Sequence, residues 1–292
     1  MIIWLASYPK SGNTFLRSLL SAYLFTKDGN FNFNSLHEIS QFPDLNIFKK
    51  FGINTSNDLE LVKNYINVQK KMNLLGGKNI RFLKTHTSFY DINGYKFTDL
   101  NNTLGVIYVV RDPRSVVKSY ANHNQMTLEQ ATDKILEFGT LTGEKKHSQI
   151  LNDKVITHVG SWGSNYNTWK EFKKENRYLL IKYEDLVSDT EKVFLETLHF
   201  IYNLGNSKLE LNNSKFKNAL KSTTFDEMQK LEIEKGFPEA IKNIEGKKIT
   251  FFKYGLKKNN PNLLPENLKD KIEKKFEKEL KELRAMILEN SK

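Results

Sequence analysis

A short stretch near the start of the chain combines residue types that bind an anion. The octapeptide SYPKSGNT, residues 7–14, follows the apolar run IIWLA and precedes an apolar helical pattern. In a strand–turn–helix unit, the first backbone N–H groups of the helix and the helix dipole attract negative charge into the turn. Gly12 permits a positive φ and a close ligand, while Ser11 and Thr14 add hydroxyl donors. The stretch therefore predicts an anion site, in which Lys10 either only binds the anion or also helps to break a bond.

One of the six histidines has a position that suits a general base. The segment FLKTH, residues 82–86, predicts a parallel strand that ends beside His86. Ligands of open α/β sheets bind outside the carboxyl ends of the strands, and a neutral imidazole can accept a proton there. An unshifted imidazole pKa of about 6.5 predicts that the activity of such a base falls in acid. His86 is therefore the candidate base.

The elements that must position these residues follow from the apolar patterns. Apolar runs predict strands at residues 2–6, 81–86, 103–110 and 177–183. Helical spacing predicts helices at residues 14–25, 57–75, 111–122, 127–138, 164–175, 190–204 and from 265 onward. This alternation predicts an α/β fold, with a central parallel sheet flanked by helices and an amphipathic C-terminal helix. No repeat and no Pro-, Gly- or Ser-rich linker is present, so we expect residues 1–292 to form a single domain.

Two of the predicted helices begin with capping residues. Asp112 is a good N-cap, and Pro113 suits the first helical position after it. Thr127 and Gln130 have the spacing of a capping box. These signals place two helix starts beyond the strand at residues 103–110.

Composition limits the classes of protein that the chain can be. It has 292 residues, of which 39% are hydrophobic, and this allows a sizeable core. Its net charge of +11 suits an anionic ligand, a nucleic acid or an acidic membrane face. The absence of cysteine excludes disulfides, cysteine nucleophiles and thiolate metal sites. No apolar stretch reaches the roughly 20 residues of a membrane span, and the first strand begins at Ile2, so we expect a cytoplasmic protein without a signal peptide.

Two other classes of protein have to be weighed. A P-loop kinase that uses ATP and Mg²⁺ requires G-x-x-x-x-G-K-[ST], whereas Lys10 precedes Gly12 by two positions and residue 7 is serine. Asp112 could be its magnesium ligand, although capping of the helix at Pro113 explains this residue equally well. A non-catalytic protein that binds an anion or RNA would use the net charge, but no basic stripe interleaved with aromatic residues is evident.

The octapeptide SYPKSGNT resembles the phosphosulfate-binding loop of the sulfotransferases that use 3′-phosphoadenosine 5′-phosphosulfate (PAPS), usually Y-P-K-[SA]-G-[TN]-T. Further stretches resemble the same family in the right order: KTH at 84–86, VIYVVRDPRSVVKSY at 106–120, LLIKYEDL at 179–186, STTFDEM at 222–228 and TFFKYG at 250–255. The resemblance runs from residue 2 to about residue 290. It implies the P-loop-like α/β fold of that family, sulfuryl transfer from PAPS to a hydroxyl or amine of a small-molecule or glycan acceptor, no metal and no nucleic acid.

The resemblance also implies roles for individual residues. His86 is the implied base, and Lys84 helps to hold the sulfuryl group. Arg111 ends a strand and Ser119 lies two helical turns further on; both match positions that bind the 3′-phosphate, for which a guanidinium is a strong partner. The implied catalytic residues are His86, Lys10, Lys84 and Ser119. The implied donor-binding residues are Lys10, Ser11, Gly12, Asn13, Thr14, Phe15, Arg111, Ser119, Tyr183, Thr223, Thr224, Phe225, Phe252, Lys253, Tyr254 and Gly255.

Three aromatic members of that set match positions on the adenine side of the donor. Phe15 and Phe225 match residues that stack on the base, and Tyr183 matches a tyrosine that faces it. The chain departs from the family near the 3′-phosphate, where R-K-G followed by G-x-W is replaced by Lys253, Tyr254, Gly255 and LKKNN. How this altered segment contacts the phosphate is therefore open.

The acceptor and the base are the least determined parts of the site. Residues 28–78 and 125–160 are expected to shape the acceptor pocket, but no motif in them names the acceptor. Some branches of the family use a carboxylate base, so a glutamate in residues 28–60 is an alternative to His86. The dimer motif K-x-x-x-T-V-x-x-x-E of the cytosolic animal members is absent, which leaves the oligomeric state open.

Overall fold

A parallel sheet forms the centre of the fold, and the apolar runs of the sequence supply most of its strands. The structure is a computed structural model that describes residues 1–77, 79–139, 141–142, 155, 157–241, 243, 245–253 and 263–289. The sheet contains β1 Ile2–Ser7, β2 Ser40–Gln41, β3 Arg81–Thr85, β4 Thr103–Val110 and β7 Tyr178–Lys182. Its spatial order is β2-β3-β1-β4-β7, and every neighbouring pair is parallel. A separate antiparallel pair is formed by β5 Leu141–Thr142 and β6 Thr157–His158.

Helices connect the strands and cover the sheet. Their bounds are α1 Asn13–Phe25, α2 Leu45–Lys50, α3 Asp58–Lys63, α4 Tyr65–Gly76, α5 Pro113–Asn124, α6 Leu128–Leu136, α7 Trp162–Trp169, α8 Tyr183–Ser188, α9 Thr190–Leu204, α10 Asn213–Ser222, α11 Phe225–Lys235, α12 Glu266–Lys275 and α13 Glu277–Glu289. Within the described residues, 3₁₀ segments span Phe33–Glu38 and Lys170–Glu175. None of the helices within the described residues is both long enough and apolar enough to cross a membrane.

The two faces of the sheet are buried in two separate hydrophobic clusters. Alternate side chains of β1 point to opposite faces, so Ile2 and Trp4 enter one cluster, while Ile3 and Leu5 enter the other. Helices α5, α6, α7 and α12 cover the Trp4 face, and α1, α9 and α10 cover the other. The predicted α/β fold, a parallel sheet flanked by helices, is therefore confirmed.

Both predicted caps are present. The Asp112 side chain accepts the Arg114 N–H at the start of α5, where Pro113 is the first helical residue. Thr127 and Gln130 form the reciprocal bonds of a capping box at the start of α6. The Asp112 cap fixes where α5 begins relative to β4, and the site described below depends on that position.

Some helix predictions were wrong in detail. The helix predicted for residues 57–75 breaks into α3 and α4 at Asn64, whose side-chain amide donates to the Glu60 carbonyl and competes with the helical ladder. The predicted closing helix breaks into α12 and α13 at Phe276, whose ring packs 5.0 Å from that of Trp162. Helices α2, α8, α10 and α11 were not predicted, because each buries only one or two side chains.

Candidate functional site

The residues that the motifs single out gather at one edge of the sheet. Parallel pairing sets Ala6 beside Thr85 and Val110 beside Lys182, so β1, β3, β4 and β7 end at the same edge. The SYPKSGNT turn follows β1. His86, Arg111 and Tyr183 directly follow β3, β4 and β7. The structure therefore brings together residues that the sequence separates by more than a hundred positions.

The turn after β1 has the shape of an anion cradle. Lys10 and Gly12 adopt φ values of 66° and 98°, and α1 begins at Asn13. The Asn13 amide donates to the Leu5 carbonyl at 2.9 Å, which fastens the start of α1 to β1. The Ser11 side chain is fully buried, and its hydroxyl has no hydrogen-bond partner among the described residues. A buried hydroxyl without a partner is costly, so it points to an absent ligand in this turn.

Gly12, Tyr183 and Arg111 are stacked against one another beside the turn. A Cβ atom placed on Gly12 would lie 2.2 Å from Cδ2 of the Tyr183 ring. The guanidinium carbon of Arg111 lies 4.2 Å from the centroid of the same ring. Only glycine leaves room for the ring at this distance, so the stack requires residue 12 to be glycine. Tyr183 thus packs on the turn and on Arg111.

Gly12→Ala is expected to destabilise the protein more than the same change at Gly52. Gly52 also has a positive φ of 72° but has no atom within 4 Å of a built Cβ, so Gly52→Ala costs only the backbone strain of about 1–2 kcal/mol. Gly12→Ala adds the clash with Tyr183, about 1–3 kcal/mol more. Urea unfolding of both variants measures the difference, and equal losses of unfolding free energy would contradict the tight stack.

Arg111 is held rigidly at the end of β4. The residue is 6% exposed, and the Trp162 indole N–H donates to its backbone carbonyl at 3.0 Å. Burial lowers the pKa of the Arg111 guanidinium, while Tyr183 and Glu184 oppose that shift. The neighbouring Asp112 caps α5 and also accepts two bonds from the Arg114 guanidinium. Its carboxylate is thus already engaged by α5 and Arg114 rather than left open as a metal ligand.

Ser119 and Lys253 belong to neighbouring parts of the site. Ser119 is partly exposed on α5, and the Lys253 ammonium donates to the Asn122 side chain one turn further along that helix at 2.9 Å. The His123 ring also lies edge-on to Phe251, with 6.2 Å between centroids. The stretch Phe251–Lys253 therefore lies against the part of α5 that follows Ser119. Tyr254 and Gly255 lie outside the described residues.

The residues predicted for the adenine side differ in how they are placed. Thr223 is fully buried and its hydroxyl donates to the Ala219 carbonyl at 2.8 Å, while the Thr224 hydroxyl caps α11. Phe225 is 37% exposed and lies 6.5 Å from Phe252, so it presents an open ring face. In this stretch, aromatic rings are available to a ligand, whereas the two hydroxyls hold the α10–α11 turn. Phe15 and Thr14 lie in the first turn of α1, Phe15 partly buried and Thr14 buried.

His86 is oriented by the strand next to its own. Its Nδ1 lies 2.9 Å from the Ser7 carbonyl oxygen, which can only accept a hydrogen bond. This contact favours the tautomer that carries the proton on Nδ1 and the lone pair on Nε2, while the Ser7 hydroxyl, 3.2 Å from Nδ1, can act as donor or acceptor. The Asn165 side-chain amide donates to the backbone carbonyl of His86 at 2.9 Å, which fastens the main chain next to the ring. Burial, and then the positive charge of Lys84, lower the pKa of His86 to about 3, so the ring is neutral. A donor anion bound beside Lys84 would raise this pKa towards the range in which a general base works best.

The two lysines of the site contact one later segment of the chain. The Lys10 ammonium lies 3.8 Å from the centroid of the Phe251 ring. The Lys84 ammonium lies 3.2 Å from Oε2 of Glu239, whose Oε1 is 2.6 Å from the Arg17 guanidinium. Burial, and then the charges of Lys84 and Arg111, lower the pKa of Lys10 to about 7. A bound anion would reverse that shift, because opposite charge favours the protonated lysine.

Sequence reasoning missed Arg17 and Glu239. Glu239 lies 222 positions after Arg17 and 155 after Lys84, and no local motif marks either contact. Glu239 is thus a carboxylate that the structure brings beside Lys84. A glutamate in residues 28–60 stays an alternative to His86 as the base. Among the described residues there is no group of three or more His, Asp or Glu side chains that could hold a metal ion.

Comparison with known proteins agrees with this arrangement. A family model described as "Sulfotransferase domain" matches residues 2–284. The luciferin sulfotransferase of Photinus pyralis is 26% identical over 233 residues, which are 78% of this chain and 56% of that protein. Sulfotransferase 1E1 of Mus musculus is 20% identical over 288 residues, 95% of this chain and 83% of that protein. The chain thus spans only a little over half the length of the first of these relatives.

Solved structures share the fold at low sequence identity. Mouse sulfotransferase SULT7A1, complexed with PAP, aligns with a TM-score of 0.58 at 18% identity, covering 99% of this chain and 88% of that one. Retinol dehydratase, in complex with androsterone and the inactive cofactor PAP, aligns with a TM-score of 0.56 at 15% identity, covering 96% of this chain and 80% of that one. These two likenesses establish the architecture.

Proposed function

The chain belongs to the sulfotransferase domain family, and we propose that it transfers a sulfuryl group from PAPS to a hydroxyl or amine of a small-molecule or glycan acceptor. One observation carries the proposal: the Lys10 turn, His86 and Arg111 lie at the same edge of the parallel sheet. An anion cradle, a neutral base and a fixed guanidinium are the parts that transfer from a doubly phosphorylated donor needs. We further propose that residues 1–292 work as one domain.

The reaction assigns one task to each group. His86 Nε2 takes the proton of the acceptor as its oxygen or nitrogen attacks the sulfur. The bond between sulfur and the bridging oxygen of PAPS breaks, and adenosine 3′,5′-bisphosphate (PAP) leaves with the added negative charge. Lys10 stabilises that charge on the bridging oxygen, and Lys84, on the strand that ends at His86, holds the sulfuryl group. Donation from Nδ1 to the Ser7 carbonyl keeps the ring in the tautomer that can act as a base.

The 3′-phosphate of the donor is assigned to Arg111, Ser119 and Lys253. Arg111 is buried at the strand end, and Lys253 contacts the same helix as Ser119. The ring of Phe225, which is 37% exposed, and the partly buried ring of Phe15 are assigned to the adenine, which stacks well on aromatic rings. When the adenine binds, the Tyr183 ring would either leave its stack on Gly12 and Arg111 or stack on the adenine as well.

Arg111→Ala is expected to abolish the preference for a 3′-phosphate. PAP should bind the unaltered protein far more tightly than AMP, because a charge-assisted hydrogen bond contributes about 1.5–3 kcal/mol. Calorimetry with both nucleotides measures the preference before and after the substitution. Arg111→Lys keeps the charge without the fork and should retain part of the preference. Equal affinities of the unaltered protein for PAP and AMP would contradict the assignment.

A thermal-shift experiment tests the function against its two alternatives. A ligand that binds the folded state raises Tm, by mass action. PAPS and PAP should raise Tm in EDTA, whereas ATP with Mg²⁺ and RNA should not. A larger shift with ATP and Mg²⁺ would favour the kinase, and a shift with RNA alone would favour a nucleic-acid binder. The engagement of Asp112 with α5 and Arg114 already weighs against the kinase.

A further inference from the structure

Glu239 is a carboxylate at a site that is built to hold anions. Its two oxygens contact Lys84 at 3.2 Å and Arg17 at 2.6 Å. Burial alone would raise the pKa of this carboxyl, but Lys84 and Arg17 outweigh burial and lower the pKa to about 2. The group is therefore a permanent negative charge at neutral pH. It occupies Lys84, the residue to which the proposed mechanism assigns the sulfuryl group.

The negative charge of Glu239 reaches the rest of the donor site. This charge raises the pKa values of Lys10 and His86, against the other groups that lower them. Lys10, His86 and Lys84 therefore share one electrostatic environment. A sulfuryl group bound at Lys84 would carry a second negative charge into the same place. Like charges at close range repel strongly where water is partly excluded. Glu239 and the sulfuryl group therefore compete for Lys84.

The geometry allows Glu239 to give way without disturbing the core. Its side chain is 35% exposed, whereas those of Arg17 and Lys84 are 3% and 9% exposed. Arg17 would keep its second bond, which its guanidinium donates to the Leu36 carbonyl at 2.7 Å. A released Glu239 carboxylate can thus enter water while Arg17 keeps a partner.

We propose that Glu239 sets how strongly the donor site prefers PAPS to the product PAP, because the sulfuryl group must displace its carboxylate from Lys84 and PAP need not. This inference rests on the proposed function. PAP lacks the sulfuryl group, so its binding leaves the Lys84–Glu239 pair in place. PAPS binding breaks that pair, and the site therefore binds PAPS less tightly than the same site would with a neutral residue at position 239.

The test compares both nucleotides on Glu239→Gln and on a matched control. Glutamine keeps the shape and the hydrogen-bonding oxygen but removes the charge. The dissociation constant of PAPS should fall about tenfold, the worth of one charge-assisted hydrogen bond, while that of PAP falls by less than about threefold. The control is Glu282→Gln, since Glu282 also pairs with two lysines, Lys170 and Lys173, and is 32% exposed. It should change neither constant.

Three results would overturn the inference. Unchanged PAPS binding by Glu239→Gln would mean that no competition exists, and an equal gain for PAP and PAPS would mean that Glu239 acts only through net charge. Failure of the unaltered protein to bind either nucleotide would overturn the proposed function itself, which makes the two failures distinguishable. If Glu239→Gln does not fold, Glu239→Asp draws the carboxylate back from Lys84 and should tighten PAPS binding in the same direction.

Discussion

His86→Ala is expected to lower turnover by about 10²–10⁴, the usual contribution of a positioned base, while the affinity for PAP stays nearly unchanged. The reason is that His86 Nε2 takes a proton only from the acceptor, whereas the nucleotide is held by the turn after β1 and by Arg111. Turnover with PAPS at saturation and calorimetry with PAP measure the two effects separately. His199→Ala is the control, because His199 is an exposed histidine on α9. Full activity of His86→Ala would move the base elsewhere.

The pH profile of the unaltered protein follows from the environment of His86. An imidazole with an ordinary pKa would lose its basic form below about pH 6.5. Burial and Lys84 lower the pKa of His86 to about 3, so the ring stays neutral through mildly acidic solution. The negative charge of bound PAPS raises this pKa, so turnover should fall at a pH between about 3 and about 6.5. The free energy of unfolding also depends on this pKa. Below about pH 6.5 the imidazole of the unfolded chain binds a proton, while that of the folded protein does not. His86 therefore destabilises the fold as the pH falls from there towards 3.

Lys10→Ala is expected to weaken donor binding and lower turnover together. An anchor that binds donor and transition state equally would change only the affinity, whereas a group that stabilises the leaving oxygen also changes the chemical step. Each effect should be about tenfold or more, since a charge-assisted contact contributes about 1.5–3 kcal/mol. Lys230→Ala serves as the control, because Lys230 is an exposed lysine on α11. Weak binding with intact turnover at saturating PAPS would reduce Lys10 to an anchor.

The number of protons that the protein takes up when PAPS binds gives a second test of the role of Lys10. Its pKa is about 7 in the ligand-free protein, so near pH 8 most molecules carry a neutral lysine at this position. A bound phosphosulfate favours the charged form, and PAPS binding near pH 8 should therefore take up close to one proton. Calorimetry in two buffers with different ionisation enthalpies measures this uptake. Lys10→Met should abolish it, while Lys230→Met should leave it intact.

The sequence predicts those parts of the site that local patterns encode. Lys10 and Gly12 lie in a strand–turn–helix motif, and His86 and Arg111 each follow an apolar strand, so their meeting at one edge follows from parallel pairing. Glu239 could not be predicted in this way. It contacts Lys84 and Arg17, which lie 155 and 222 positions earlier in the chain, and no sequence motif marks these contacts. The low pKa of His86 was equally hidden, since it depends on burial and on the distance to Lys84.

The strands and helices also divide into those that local sequence patterns predict and those that they do not. The strands β1 and β4 are apolar runs and β3 contains a shorter apolar stretch, so their positions could be predicted. The edge strand β2, only two residues long, could not be predicted, because it lacks an apolar run. Helix α11 buries Met228 as its one fully buried residue, so its sequence shows little amphipathic period.

Transfer of ³⁵S from labelled PAPS to a pooled set of phenols, alcohols, amines and sugars, in the presence of EDTA, tests the central claim most directly. The proposal predicts a labelled product, formed in step with the release of PAP and lost in His86→Ala. It also predicts that Mg²⁺ is not required, because the described site positions the donor with lysine, arginine and backbone groups. Transfer of ³²P from ATP that depends on Mg²⁺, without any transfer from PAPS, would contradict the account and assign the chain to phosphoryl transfer.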